Sequence, residues 1–572
     1  MPKIVEVFLH REGLKMKTKN QSQGTLVRNF LKGRTDRRSF LNGVVSLGFA
    51  APALTSLFGS SAYSATPSGT LILGAPATPT TLDPEFSSSS QDREADVSTY
   101  DRFTEFKIKT DDKGNRVADL DAPPQPLLAE SWNVSSDGRK YTVKLRAGVK
   151  SYFGNELTSE DVKWSWDRVF ALRSQGLFPL GVASIKNNKA YKVTGKYTFE
   201  IMLDVPNPIL MIVQATPVPG AVIFDSTEVK KHITKEDPWG KSWLVSNTAS
   251  FGPYHAKSYT PGQQVEYVAN PNYFRGKPAI DKILYREIPS SATRLSLLKT
   301  GAIDVAEDLG TRERRDLAGL ADVKVTSVKG NNGVIFGLNN SIAPFTDKRV
   351  RQAVAYAMPI DDIIKTVYFD DPSVRLFRGP LPDQYPGYAG SWPYQPRDVA
   401  KAKKLLSDAG KKSLSFDLSY STIYPEHEQI AQLIRKAMAE IGIDVRLQKM
   451  APAKYQEQYY SHKAQSVIVQ DAPFVVDGAY AEFLFFGPGK GAVGNWIDYV
   501  NPKAQDMIMK ALGTADLKAR HALAKTAATQ IAEDAPWAMY LGIGFHMATR
   551  SNVSGLTWRP HNLVHLADLR KS

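Results

Sequence analysis

Residues 414–447 constrain the fold most tightly. Leu414, Phe416, Leu418 and Tyr420 alternate with polar neighbours, the two-residue period of a half-buried strand. Ile430, Leu433, Ile434, Ala437, Met438 and Ile441 then recur at helical spacing, and Gly442 stands where that helix should stop. Val445 and Leu447 alternate again. A strand, a helix and a strand in this order predict two parallel strands joined by a right-handed crossover, and therefore an α/β layer. Ser466 to Gln470 reads as a further strand of that layer. Open α/β sheets hold ligands beyond the carboxyl ends of their strands, which places Phe474 and Asp477 in the expected binding zone.

A second legible stretch runs from Pro126 to Arg168. Ser135, Ser136, Asp137 and Gly138 have the composition of a turn. Tyr141, Val143 and Leu145 alternate with Thr142, Lys144 and Arg146 as a strand, and Thr158 with Asp161 forms an approximate capping box for a helix. Val162, Ser165, Trp166, Val169 and Phe170 make one stripe on that helix, so this region reads as a small α+β unit. Further strands are expected at Thr70–Gly74 and around Tyr197–Ile201, and helices at Arg397–Ala409 and Leu517–Ala532. Lys329 to Asn332, with Gly330 and Gly333, has the composition of a flexible crossing between lobes, and Gly542 and Gly544 mark a return crossing.

The 572 residues suffice for two or three domains, and they include no cysteine. Disulfides, thiolate metal sites, a cysteine nucleophile and a lipidated cysteine anchor are thereby excluded. Catalytic templates fail as well. His427-Glu428 could open a zinc-binding helix, but Ala431 occupies the place of the second histidine; no Gly-x-Ser-x-Gly occurs; and Gly487 to Gly494 lacks the spacing of a phosphate loop. The expectation is a protein without cofactor or metal, and not an enzyme. Near the N-terminus Arg37-Arg38-Ser39-Phe40-Leu41 precedes a short apolar run rich in small residues, which resembles a twin-arginine export signal occupying residues 1–65, with Met16 as an alternative start and cleavage between about 62 and 65. That segment holds +7 of the formal charge of +14, and nothing in the remainder resembles a basic tract with interleaved aromatics, so nucleic acid is not an expected partner.

Leu128-Ala129-Glu130-Ser131-Trp132, Asp137-Gly138 with Tyr141-Thr142, Leu145-Arg146 with Gly148-Val149-Lys150, and Thr158 with Asp161-Val162 resemble the signature of the family 5 extracellular solute-binding proteins, the peptide- and nickel-type receptors of ABC importers. Gly252-Pro253-Tyr254, Asn270-Pro271-Asn272-Tyr273, Arg349 to Val354 and Asp534-Ala535-Pro536-Trp537 are similar to further motifs of that family. Ser151-Tyr152-Phe153-Gly154 departs from the family's usual Phe-His-Asp-Gly. The resemblance implies a two-lobed periplasmic binding protein of type II, in the large peptide-binding class, with an inserted α+β subdomain. It divides the chain into lobe I (66–97, 241–327 and 543–572), the insertion (98–240) and lobe II (328–542). It also implies a periplasmic receptor, expected to be monomeric, that delivers an oligopeptide or other ammonium-bearing solute to a membrane permease with separate ATPase subunits; an opine, an oligosaccharide or a metal chelate is the alternative ligand, and a secreted hydrolase or periplasmic chaperone a more distant one. In the family's ungapped register Tyr455 falls on an aromatic wall, Phe474 on a tryptophan position and Asp477 on the aspartate that accepts the ligand's ammonium group. Asp471 falls where some relatives have arginine, implying two acids in the pocket or a helix-capping or surface acid, and Trp496 could either stack on a ligand or lie in the core.

Overall fold

The computed structural model describes residues 69–572 other than 412 and 489–493. The export-signal segment, residues 1–65, lies outside the described residues.

Two large sheets organise the chain. The first has seven strands in the order Tyr254–Thr260, Gln264–Ala269, Lys282–Glu287, Thr70–Ala75, Val305–Ala306, Phe545–Arg550 and Val323–Val328. The second has six, Arg375–Leu376, Trp537–Gly542, Gly333–Leu338, Ser466–Asp471, Leu414–Ser421 and Ile443–Met450. Within it Leu414–Ser421 runs parallel to both Ile443–Met450 and Ser466–Asp471, and the helix Pro425–Ala439 makes the crossover between the first two. Phe416, Leu418, Ile430, Ile434, Met438 and Val445 are buried together, so the alternation of the strands and the stripe of the helix meet in one core. Gly442 closes the helix with φ +81°, a conformation that a side chain would strain.

A third sheet, antiparallel in the order Ala129–Val134, Lys140–Leu145, Thr198–Met202 and Tyr191–Gly195, packs under the helix Ser159–Leu172, which buries Val162, Trp166 and Val169 completely. Asp161 accepts a hydrogen bond from the Thr158 N–H at 2.8 Å and so closes the start of that helix. The same helix fastens this unit to the first sheet. Arg168 donates to both carboxylate oxygens of Asp83 at 2.9 and 2.5 Å, both side chains being fully buried, while the Arg168 Nε donates to the Trp239 carbonyl. Asp83 also caps the turn Pro84–Phe86 through the Glu85 N–H.

The chain passes between the two large sheets twice at adjacent points. Residues 329–332 connect Val323–Val328 to Gly333–Leu338, and residues 543–544 connect Trp537–Gly542 back to Phe545–Arg550. The two passages are bonded to each other, the Ile543 N–H donating to the Asn332 carbonyl at 3.0 Å. Gly544 has φ +72°, and a Cβ there would run into the Ser373 side chain. Asn331 is fully buried between them; its amide donates to the Tyr385 hydroxyl and the Pro473 carbonyl and accepts from Asn562.

Candidate functional site

The Ser466–Asp471 strand ends at the boundary between the lobes, and the loop beyond it turns into the helix Gly478–Phe486. Val475 and Tyr480 of this segment are buried in the same cluster as Val143, Trp166 and Phe199 of the inserted unit, and Val476 is buried with Phe106 and Tyr254. The segment therefore bridges the second lobe to the first.

Asp471 is the last residue of the strand. It is partly accessible at the surface of the cleft but enclosed by protein in depth, and burial pushes its carboxyl up to about 6, against the opposing effects of the Ala472 N–H, which donates to it at 2.7 Å, and of Arg93. Among the described residues no cation lies within ion-pair distance of it. Its charge raises the phenols of Tyr455, Tyr459, Tyr460, Tyr480 and Tyr540, each already raised by burial. Two of these, Tyr480 and Tyr540, have buried hydroxyls without a hydrogen-bond partner.

Arg93 faces this group from the first lobe, on the helix Ser90–Thr99. It influences both Asp471 and Tyr460 across the cleft, and its Nε is buried without an acceptor. Beside it Asp96 is held well above the usual carboxylate range by burial, with one oxygen unpartnered; the hydroxyls of Ser87, Ser98 and Tyr267 are buried and unpartnered too. Native interiors contain few such atoms, because each costs about 1–3 kcal/mol. Their concentration on helix Ser90–Thr99, around Tyr267 and around Asp471 marks a lining suited to a polar solute.

The structure places the four other sequence-predicted residues as follows. Asp477 is fully buried, and both its oxygens are already engaged: Arg520 Nε and Nη2 donate to them at 2.8 and 2.7 Å, and the Tyr480 N–H donates at 2.8 Å, making Asp477 the cap of helix Gly478–Phe486. The carboxylate is fully enclosed and holds the helix to Arg520. Trp496 is 4 % exposed and packs in an aromatic core with Tyr459 and Trp537 at ring separations of 5.1 and 6.2 Å. It lies flat on Gly337, where a Cβ would collide with it. Phe474 is half-buried, packs edge-on against Tyr480 at 5.8 Å and contacts the core of the inserted unit, a place in the lobe interface rather than on a free wall. Tyr455 does stand beside Asp471, but its hydroxyl donates to the Ile468 carbonyl at 2.8 Å, leaving its ring face for contact. Arg93 and Asp96 belong to no motif or periodic stripe that would single them out in the sequence. His427, the half-formed zinc pair, is buried with both ring nitrogens unbonded, and burial holds it near 3.

Two α/β lobes joined by two adjacent crossings define the fold class of the periplasmic binding proteins, and solved structures agree at the level of fold. The chain aligns with a dipeptide binding protein of a Pseudoalteromonas species in complex with Met-Leu at a TM-score of 0.74, with 22% identity, covering 88% of this chain and 100% of that one. It aligns with a solute-binding protein of A. tumefaciens in complex with mannopinic acid at a TM-score of 0.70, with 24% identity, covering 88% and 99%. Residues 123–492 match the profile of the bacterial extracellular solute-binding proteins, family 5 middle region, and the chain belongs to that family. Among its relatives are a probable D,D-dipeptide-binding periplasmic protein of Escherichia coli, 27% identical over 500 residues that make up 87% of this chain and 93% of the relative, and a di/tripeptide-binding protein of Pseudomonas aeruginosa, 28% identical over 76% and 84%.

Proposed function

We propose that this protein is a periplasmic receptor that captures a small ammonium-bearing solute, of the dipeptide or oligopeptide kind, and presents it in the closed state to an ABC permease whose ATPases are separate chains. It acts as a monomer, performs no chemistry on its ligand, and reaches the periplasm through its N-terminal twin-arginine segment. The peptide-binding relatives support the ligand class. The observation that carries the reading to a position is Asp471, a carboxylate at the carboxyl end of a sheet strand that lacks a protein cation and is opposed by Arg93 from the other lobe. An ammonium group at Asp471 and a carboxylate at Arg93 would give a zwitterion one charged contact with each lobe. A ligand favours closure only through contacts that the open state lacks, and such a pair supplies them.

The test is isothermal titration with a panel of di- and tripeptides, preceded by mass spectrometry of small molecules released on denaturing protein taken from its own host. Peptide binding that is weakened at least about tenfold in Asp471→Asn, the usual scale for loss of one partner of a desolvated charge pair, supports the assignment. Recovery of a sugar or a metal chelate, with no peptide binding, would keep the receptor and remove the ammonium anchor. Turnover of an ester or peptide by the pure protein would point to the hydrolase reading instead.

A further inference from the structure

The first lobe contains a concentration of positive charge that the cleft does not use. A cavity of about 460 Å³ is lined by Arg116, Arg146, Arg275, Arg559 and Lys107, with Glu105 and Asp568 as its only acids. Two of the cations are satisfied: Arg275 pairs with Glu105, and Arg559 with Asp568 at 2.5 Å. Arg116 and Arg146 are each steadied through Nε alone, on the Thr557 hydroxyl at 3.0 Å and the Leu127 carbonyl at 2.6 Å, and have no carboxylate partner among the described residues.

Arg102 lies behind the lining rather than in it, near enough to Asp101 and to the lining residues Glu105 and Arg559 to feel all three. It is 3 % exposed, and its Nε and Nη1 are buried without an acceptor. Burial opposes its charge most, the neighbouring Asp101 carboxylate supports it, and the like charge of Arg559 opposes it further. Two histidines adjoin the same group. The Leu563 N–H donates to His561 Nδ1 at 3.2 Å, so the His561 proton sits on Nε2 and is given to His565 Nε2 at 3.0 Å; His565 then carries its own proton on Nδ1. The fields of Arg559 and Arg102, added to burial, keep both rings neutral, so they neither relieve the charge nor add to it.

We propose that this part of the first lobe is a binding site for a phosphate-type oxyanion, either free inorganic phosphate or the phosphate group of an ester. Guanidinium forks match the oxygens of a tetrahedral dianion in pairs, and the terminal nitrogens of Arg116 and Arg146 together offer more unspent donors than a carboxylate with two oxygens can accept. Every lining residue lies outside 328–542, so occupancy requires no closure of the lobes, and the site is independent of the Asp471 cleft.

Titration calorimetry of the full chain with inorganic phosphate, with glycerol phosphate and with acetate tests this. Saturable 1:1 binding of either phosphate, much weaker binding of acetate, and a fall in affinity with ionic strength are expected. Preference for inorganic phosphate identifies the free ion as the source, and preference for glycerol phosphate an ester. The double variant Arg116→Gln, Arg146→Gln, at positions that are not fully buried, should lose about tenfold or more in phosphate affinity while the cleft ligand binds unchanged. Absence of saturable phosphate binding, or equal phosphate affinity in the folded double variant, would overturn the proposal.

Discussion

At the scale of single residues, the contrast between Asp477 and Asp471 is instructive. Six positions apart, one has both oxygens committed to Arg520 and a helix N-terminus, while the other has one backbone N–H and no cation. Removing one member of a buried ion pair leaves the other charge stranded, which typically costs 3–5 kcal/mol. Asp477→Asn should therefore lower unfolding stability by about that much in a denaturant titration, and leave the ligand affinity of the folded protein nearly unchanged. Asp471 predicts a pH effect. Its carboxyl is raised to about 6, so it is ionised at pH 7.5 and increasingly protonated below 6. Affinity for an ammonium-bearing ligand should hold above that point and fall roughly tenfold per unit once pH drops well below it, with Asp471→Asn giving a flat profile over the same range. The sign is opposite for stability of the unliganded protein: the folded state binds this proton more readily than the unfolded one, so its contribution is most favourable at low pH and is lost as pH rises through about 6. The two acids look alike in the sequence because what separates them is Arg520, 43 residues downstream of Asp477.

At the scale of elements, local pattern was most informative where packing follows periodicity. The Leu414–Ser421 strand, the Pro425–Ala439 helix and the Ile443–Met450 strand bury the faces that their spacing indicates, and Gly442 and Gly301 take the positive φ that ends their helices, +81° and +75°. The same logic failed for Ser90–Thr99. Its alternation of charge suggests a solvated face, yet Asp92, Glu94 and Asp96 are all buried. Asp92 is satisfied locally, closing a capping box by accepting from the Ser88 and Ser89 N–H groups at 2.9 Å, whereas Glu94 depends on distant backbone, the Val564 N–H at 2.8 Å. Only tertiary contacts reveal this, and a buried charged helix of this kind is where local rules give way to function. The family motifs acquire a physical reason here as well. A Cβ on Gly252 would collide with the Thr99 carbonyl, and the Asn270 amide donates to the Gly252 carbonyl at 3.0 Å, so Gly-Pro-Tyr and Asn-Pro-x-Tyr brace the end of that helix. Gly252→Ala should lower stability by about 1–3 kcal/mol in thermal unfolding and weaken ligand binding with it, because the shifted backbone carries Arg93.

At the scale of the whole molecule, the buried Asp83–Arg168 pair joins the first sheet to the inserted unit. Asp83→Asn should destabilise the protein by about 3–5 kcal/mol. If the insertion depends on that fastening, calorimetry will show its unfolding separate from the rest; a single transition of lower midpoint would mean that the remaining contacts keep the units coupled. The division of the chain between two sheets is implied by the glycine-rich stretches at 329–332 and 542–544, but their bonding to each other spans more than two hundred residues and leaves no local trace in the sequence. The Ile543 to Asn332 hydrogen bond holds the two passages side by side. A pair of strands joined at one rung resists twisting about its length and shearing along it, but bends readily in one plane. Two adjacent passages make a hinge, so the wedge angle between the lobes is the coordinate along which they should move. A permease that reads the angle of that wedge would need no contact with the solute to know that one has been caught.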